Sequence, residues 1–342
     1  MATKPVENKF RNIYKPADNV MEMRDFVYTR YQAMQDSSYR QKAQKVLEKG
    51  REAWEAARTG RTEDDWQSNH YVPMTFAIVE TALSEIIDQS LKPLILARGS
   101  EDVPKATIMS KIYEYTWEIG DADLEWEDAV HDALIGPVGI LQEYFHRDIR
   151  KLKTVLKKNS KTEWEEEDAV VFDDPYLECV KFEDFFVDET ARSFRGPFAA
   201  RDCIRRYIID YDDAKAFFFG PDWDPLDAFK YVMPGAGDTG YWEKYAPPHG
   251  IDMKNKVEIL WYWQVKPGDW LVICINDVIV VMGPNPYKHK ELPFIRVVDV
   301  KRTHHFYGRG EAELLESMQD EVNTLRRMII DRNHLDIDKM FY

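Results

Sequence analysis

Two adjacent histidines, His304 and His305, follow Asp299 at short range, a combination that can ligate a metal. A zinc site needs three or four converging ligands, commonly a helical i, i+4 pair or a tight loop. On an extended segment neighbouring side chains point to opposite faces, so His304-His305 reads as an exposed linker. Asp173-Asp174 and Asp188-Glu189 are carboxylate pairs of the kind a two-metal nuclease uses. With 61 acidic residues in 342, such pairs are expected by chance. Gly308-Arg309-Gly310 precedes a helix as a phosphate cradle would, but it lacks the third glycine and the Lys-Ser/Thr that make such loops specific. It reads as a helix entry. No Gly-x-Ser-x-Gly, Cys–His pairing context or Walker motif is present, so an ATP-driven motor is not expected on this chain. No enzymatic activity, cofactor or metal is expected. The enzymatic alternative, a metal-dependent nuclease or hydrolase, would use Asp173, Asp174, Asp188 and His304.

The elements that must carry these residues fall into three segments. Residues 1–145 read as a helical layer. Met23, Phe26, Val27, Tyr31 and Met34 recur at three- and four-residue spacing, and Ser37-Ser38 interrupts before a charged helix from about Tyr39 to Arg58. Pro73 opens a third helix with Phe76, Val79, Leu83 and Ile87, and Pro93 breaks it. A fourth carries Met109, Ile112, Tyr113 and Trp117 to Gly120, and a fifth runs from Leu124 to Gly136-Pro137. Each is apolar on one side, as a layer packed on something else would be.

Residues 146–303 read as mostly antiparallel β, with a first strand already at Ile140 to Phe145. Arg147 to Lys161 is strongly basic and Glu163 to Asp168 strongly acidic, which suits two arms of an exposed hairpin. The basic arm beside a matching acidic one reads as self-compensated rather than as a nucleic-acid site. Val257 to Val265, Trp270 to Ile275 and Val278 to Met282 are strong strands, with Asn276-Asp277 as a two-residue turn. Pro293 to Val300 is expected to close this set. Residues 211–218 suit a short helix, and Pro221 to Gly250 a Pro/Gly-rich loop.

Residues 304–342 read as one long helix. Leu315, Met318, Val322, Leu325 and Ile329 follow a three-four spacing, and a helix from Glu311 to His334 would be about 36 Å long. Those five residues are expected to form a packing or inter-subunit seam. The end at Phe341-Tyr342, without polar tail or cap, suits a chain that continues.

Composition sets the outer limits. The chain is 44% hydrophobic, 31% charged and 13% aromatic, with ten Trp, which is a globular composition rich in interface-type residues. Its formal net charge is −15, the wrong sign for a sequence-reading DNA binder. It does not exclude a protein through which DNA must slide, where a tight phosphate contact would act as a brake. Cys179, Cys203 and Cys274 are odd in number and lack metal-ligand spacing, so a reduced, intracellular setting is expected. Met1 to Val20 is polar, so no signal peptide is expected, and no apolar run has the length of a membrane span.

Four segments, in order, resemble the portal proteins of tailed bacteriophages, in the branch typical of short-tailed phages. They are Trp66-Gln67-Ser68-Asn69 with Tyr71-Val72-Pro73; Asp132 to Gly139, around Gly136-Pro137; and Val180 to Asp188 with Ala191. The fourth runs from Pro284-Asn285-Pro286-Tyr287 through Leu292-Pro293-Phe294 and Phe306-Tyr307-Gly308-Arg309-Gly310 to Leu314, Gln319, Glu321, Asn323 and Leu325. The resemblance implies an α+β portal-like wing: an N-terminal helical layer, a central mostly antiparallel β region and a C-terminal long helix leading toward a stem. It further implies a ring of about twelve copies at one capsid vertex, assembled in the host cytoplasm and retained in the virion. Through the ring double-stranded DNA would be packaged and ejected without sequence preference. Capsid protein, the terminase motor and a tail adaptor would be its partners, with no membrane involved. The stem, clip and crown of such proteins have no counterpart in these residues, and no residue is assigned to DNA contact. Another phage head-to-tail structural protein is the alternative in the same class.

Overall fold

The computed structural model describes residues 19–56, 67–88, 95–158, 161–218, 226–235, 255–266 and 268–337; for residues 148–158 and 161–168 it describes the backbone only. The fold is α+β, with antiparallel sheets and a long C-terminal helix. The chain divides into two compact units, each assembled from separated stretches. The first comprises residues 1–46, 181–292 and 302–307, the second residues 47–180, 293–301 and 308–342.

The first unit is a five-stranded antiparallel sheet with a helix on one face. Its strands are β3 (Phe185–Val187), β4 (Asp202–Asp210), β5 (Lys256–Gln264), β6 (Trp270–Ile275) and β7 (Val278–Pro284), side by side in that order. Helix α1 (Val20–Gln35) begins where the Asn19 side chain accepts from the Met21 N–H. Its Met23, Val27, Tyr31 and Met34, spaced four, four and three apart, are buried against Phe186, Ile204, Leu260, Tyr262, Val272 and Cys274. The β6–β7 turn is Asn276-Asp277, and Asn276 adopts a left-handed φ of 46°. That conformation is one asparagine tolerates. Its side-chain amide also ties the turn down: Oδ1 accepts from Glu258 N–H at 3.0 Å and Nδ2 donates to the Met233 carbonyl at 2.7 Å. Helix α2 (Ser38–Trp54) runs from the first unit into the second. The short α6 (Tyr211–Phe217) follows β4 directly. Of the expected loop Pro221 to Gly250, only residues 226–235 are described, and they hold one turn of 3-10 helix.

The second unit is built around α5 (Ala122–Ile135), whose Ala129, Val130, Ala133, Leu134 and Ile135 are buried. Around it lie α3 (Met74–Ile87), α4 (Val103–Ile119), α7 (Glu311–Ile337) and a three-stranded sheet in which β1 (Gly139–Lys158) lies between β2 (Lys161–Cys179) and β8 (Phe294–Val297). Strand β1 (Gly139–Lys158) continues as one 20-residue strand through the basic stretch. β2 (Lys161–Cys179) returns antiparallel through the acidic stretch, so the expected hairpin forms. At the start of β1, a Cβ on Gly139 would collide with the Ala129 carbonyl, so only glycine lets the strand pass this close to α5.

One strand goes elsewhere than expected. The segment after Pro293 forms β8 (Phe294–Val297), which pairs with Gly139 to Gln142 of β1, not with β5, β6 or β7. The Pro293 carbonyl accepts from Glu143 N–H at 3.0 Å, and Phe294 is buried. Gly283-Pro284 ends β7, and proline gives no ladder donor there. The nearly buried start of β1 supplies the alternative edge.

Candidate functional site

The surfaces that matter most lie on α7 and α4. Helix α7 opens with Glu311 and Glu313, which favour the positive end of the helix dipole. It is anchored just before its first turn. A Cβ on Gly310 would collide with the Leu134 carbonyl, Gly308 N–H donates to the Pro137 carbonyl at 2.8 Å, and Arg309 exchanges two backbone hydrogen bonds with Val300. Gly308-Arg309-Gly310 is therefore a close-packed joint between backbones.

From that joint the helix presents two stripes. One is polar and faces inward: Gln319, Asn323, Arg327 and Asp331, at four-residue spacing. Gln319 Oε1 accepts from both the backbone N–H and the hydroxyl of Thr75 at 3.1 Å, and its Nε2 donates to the Val72 carbonyl at 2.6 Å. Asn323 Oδ1 accepts from Val72 N–H at 3.0 Å, Arg327 Nε donates to the His70 carbonyl, and Asp331 Oδ1 accepts from Ser68 N–H. Four side chains thus satisfy the irregular backbone of residues 68–75 leading into α3, and Gln319, Asn323 and Thr75 are buried. This chain segment has no ladder partner, and buried backbone groups must be paired somewhere.

The other stripe is the expected apolar seam. Leu315 and Val322 are half-buried, whereas Met318, Leu325 and Ile329 are 57%, 52% and 52% exposed. Leu314 and Met328 widen the exposed apolar surface. Within the chain the seam is therefore open along much of its length. Helix α4 is similar: none of its residues is buried, and Val103, Ile108, Met109, Ile112 and Tyr115 are exposed. On soluble proteins, large contiguous apolar patches are commonly interaction sites.

The remaining candidates have local explanations. Asp188 belongs to a buried ion-pair group in the first unit. Arg30 donates twice to Asp202 at 2.7 and 2.8 Å and lies 3.7 Å from Asp188, and the Tyr262 hydroxyl donates to Asp202 at 3.2 Å. Burial raises the Asp202 carboxyl above its ordinary value, and Arg30 offsets part of that. Asp173 pairs with Arg147 at 3.5 Å in the hairpin of the second unit. His304, with a left-handed φ of 67°, has its Nδ1 3.1 Å from Arg192 Nη1, and the His305 ring lies 5.9 Å from that of Tyr39. Burial raises the Asp299 carboxyl. Among the described residues no group of three or more His, Cys, Asp or Glu is placed to hold a metal ion. Burial pushes up all three cysteine thiols, that of Cys274 to about 12, which disfavours the thiolate form. No described helix is long and apolar enough to cross a membrane.

Hydropathy patterning passed over four buried arginines, of which Arg30, Arg40 and Arg206 link elements of the first unit. Besides Arg30, Arg206 binds Asp184 at 3.0 Å and the Tyr31 hydroxyl at 3.1 Å. Arg40 donates to the carbonyls of Phe182 and Glu183 and lies over the Phe186 ring at 4.0 Å. All three join the N-terminal helices to the sheet of the first unit. Their one sequence signal is position: Arg30 and Arg40 fall on the apolar faces of their helices.

The chain matches no family model and no curated protein.

Proposed function

We propose that this chain is the wing-forming part of a portal-type subunit, a structural protein that assembles head to tail into a ring at a capsid vertex of a tailed bacteriophage. In this role double-stranded DNA passes through the ring during packaging and ejection, and terminase, tail adaptor and capsid protein dock on it. The subunit itself is not a catalyst. The observation that carries the reading is the inverted burial of α7, whose polar stripe is closed within the chain while its apolar stripe stays open. A helix so arranged is finished only when a neighbouring copy covers it, and in a ring the covering patch differs from the covered one. The four resembling segments support the reading further. Val72, in the first of them, is hydrogen-bonded to Gln319 and Asn323 of the fourth. The net charge of −15 suits DNA passage without adhesion.

The deciding experiment is native mass spectrometry and negative-stain microscopy of the full-length protein across concentration, alone and with capsid protein. Closed rings of about a dozen copies are expected. A monomer or dimer under every condition would rule the reading out. Incubation with DNA, nucleotide and Mg²⁺, Mn²⁺ or Zn²⁺ is expected to give no turnover. Turnover lost in Asp173→Ala/Asp188→Ala would replace this reading with an enzymatic one.

A further inference from the structure

The β1–β2 hairpin has two long backbone edges of opposite charge. β8 covers β1 only from Gly139 to Gln142, and β2 is the outermost strand of its sheet. Beyond Glu143, whose N–H donates to the Pro293 carbonyl, β1 and β2 have only each other as ladder partners among the described residues. An open strand edge is a row of N–H and C=O groups ready to pair with another chain. Two features near the base interrupt these edges: the bulge between Asp148 and Ile149, and Pro175, which stands opposite Phe145 and has no N–H to give. The distal ribbon, residues 149–158 against 161–170, has regular register and no proline. Its edges are about 30 Å long.

The sequence of this distal ribbon is polarised. Arg150, Lys151, Lys153, Lys157 and Lys158 lie on β1, while Glu163, Glu165, Glu166, Glu167 and Asp168 lie on β2. Lys151 and Lys153 stand opposite Asp168 and Glu166, but Glu163, Glu165 and Glu167 stand opposite Leu156, Thr154 and Leu152.

We propose that the distal ribbon joins neighbouring copies of this chain by strand addition, the basic edge of β1 in one copy pairing antiparallel with the acidic edge of β2 in the next. The proposal deepens the ring reading and rests on it for the existence of neighbours. Charge selects the geometry. A two-fold arrangement would set β1 against β1 or β2 against β2, placing like charges side by side. A head-to-tail arrangement sets opposite charges side by side. Because β1 is antiparallel to β2 within each copy, it also keeps every β1 pointing the same way, as rotation about a single ring axis requires. The same charges act as a filter, since an unrelated strand of either sign meets one repelling edge.

Two variants of the full chain test this. The first combines Arg150→Glu, Lys151→Glu, Lys153→Glu and Lys157→Glu. The second combines Glu163→Lys, Glu165→Lys, Glu166→Lys and Glu167→Lys. Each alone is expected to need at least about ten-fold more protein to assemble, and an equimolar mixture to recover assembly with the two chains alternating. Hydrogen exchange on the unmodified protein is the second readout, and it does not depend on the variants folding. Amides of residues 149–158 and 161–170 are expected to gain protection on assembly. If the unmodified protein assembles while both variants match it, or while the ribbon amides gain no protection, strand addition is wrong and the ring reading stands. If the unmodified protein never assembles, both fail together.

Discussion

Arg30 and Asp202 meet in a two-pronged pair that water barely reaches, with Asp188 and Tyr262 beside it. Removing one member strands the other, and a buried uncompensated charge costs about 3–5 kcal/mol. Asp202→Asn is therefore expected to lower the urea-unfolding free energy by about that amount, and Arg30→Met/Asp202→Leu to recover part of it. A double variant no more stable than the single one would mean that the pair is not the origin of the loss. This group marks where reading the chain by residue type runs out. Asp188 stood out as a candidate metal ligand because paired acids look catalytic, and nothing local revealed that its partner is an arginine on a helix more than a hundred residues earlier. Arginine counts as a surface residue in any hydropathy pattern, so Arg30 and Arg40 showed only as charges on apolar helix faces, and Arg206 not at all, in the periodicity that correctly placed Met23, Val27, Tyr31 and Met34. The turn at Asn276-Asp277 was legible because its chemistry is local: one residue must take a left-handed φ, and asparagine is among the few that do so readily.

At the scale of elements, α7 and α4 carry the consequences. The three-four spacing of Leu315, Met318, Val322, Leu325 and Ile329 located the helix, but the face that closes within the chain is Gln319, Asn323, Arg327 and Asp331. That face was illegible because its partners are backbone groups of residues 68–75, which carry no hydropathy of their own. Gln319→Leu is a discriminating substitution. If α7 were held by apolar packing at that face, leucine would be neutral or better. With Thr75 and Val72 losing their partners, it is expected to destabilise by about 1–3 kcal/mol, read from chemical denaturation. The seam behaves in the opposite way. Because Leu325 is more than half exposed, Leu325→Asp is expected to leave the unfolding free energy within about 0.5 kcal/mol while abolishing assembly. Ile112→Asp on α4 is expected to do the same. Loss of folding in either variant would mean that these faces are covered within the chain, and intact assembly in both would remove them from the interface.

The whole molecule is an acidic body with several carboxyls made harder to ionise by burial, Asp184 and Asp299 among them. A carboxyl whose folded pKa lies above its unfolded value holds more protons in the folded state between the two. Its stabilising contribution is complete below the unfolded value, near 3.8, and is lost as pH rises through the raised one. Self-repulsion at a net charge of −15 adds in the same direction. At low salt the thermal midpoint is expected to rise as pH falls from 8 toward the isoelectric point near 5.1, and the rise to shrink at high salt. A midpoint that falls over this range at low salt would show that other titrations dominate.

The chain passes between its two units at five places, so neither unit is a continuous length of polypeptide. On a ribosome adding about 5–20 residues per second, the stretch ending at residue 180 waits about 6–23 s for β8 and longer still for α7. During that interval the backbone of residues 68–75 lacks the side chains that will satisfy it, and β1 has no cover over Gly139 to Gln142. The first unit likewise stays incomplete until residue 307 emerges. Folding thus becomes a late, nearly simultaneous event, and two separately expressed halves of the gene would each yield an unfinished product. Delayed closure also keeps adhesive surface out of circulation: α7, which carries the open apolar stripe, is synthesised only after most of the structure that presents it.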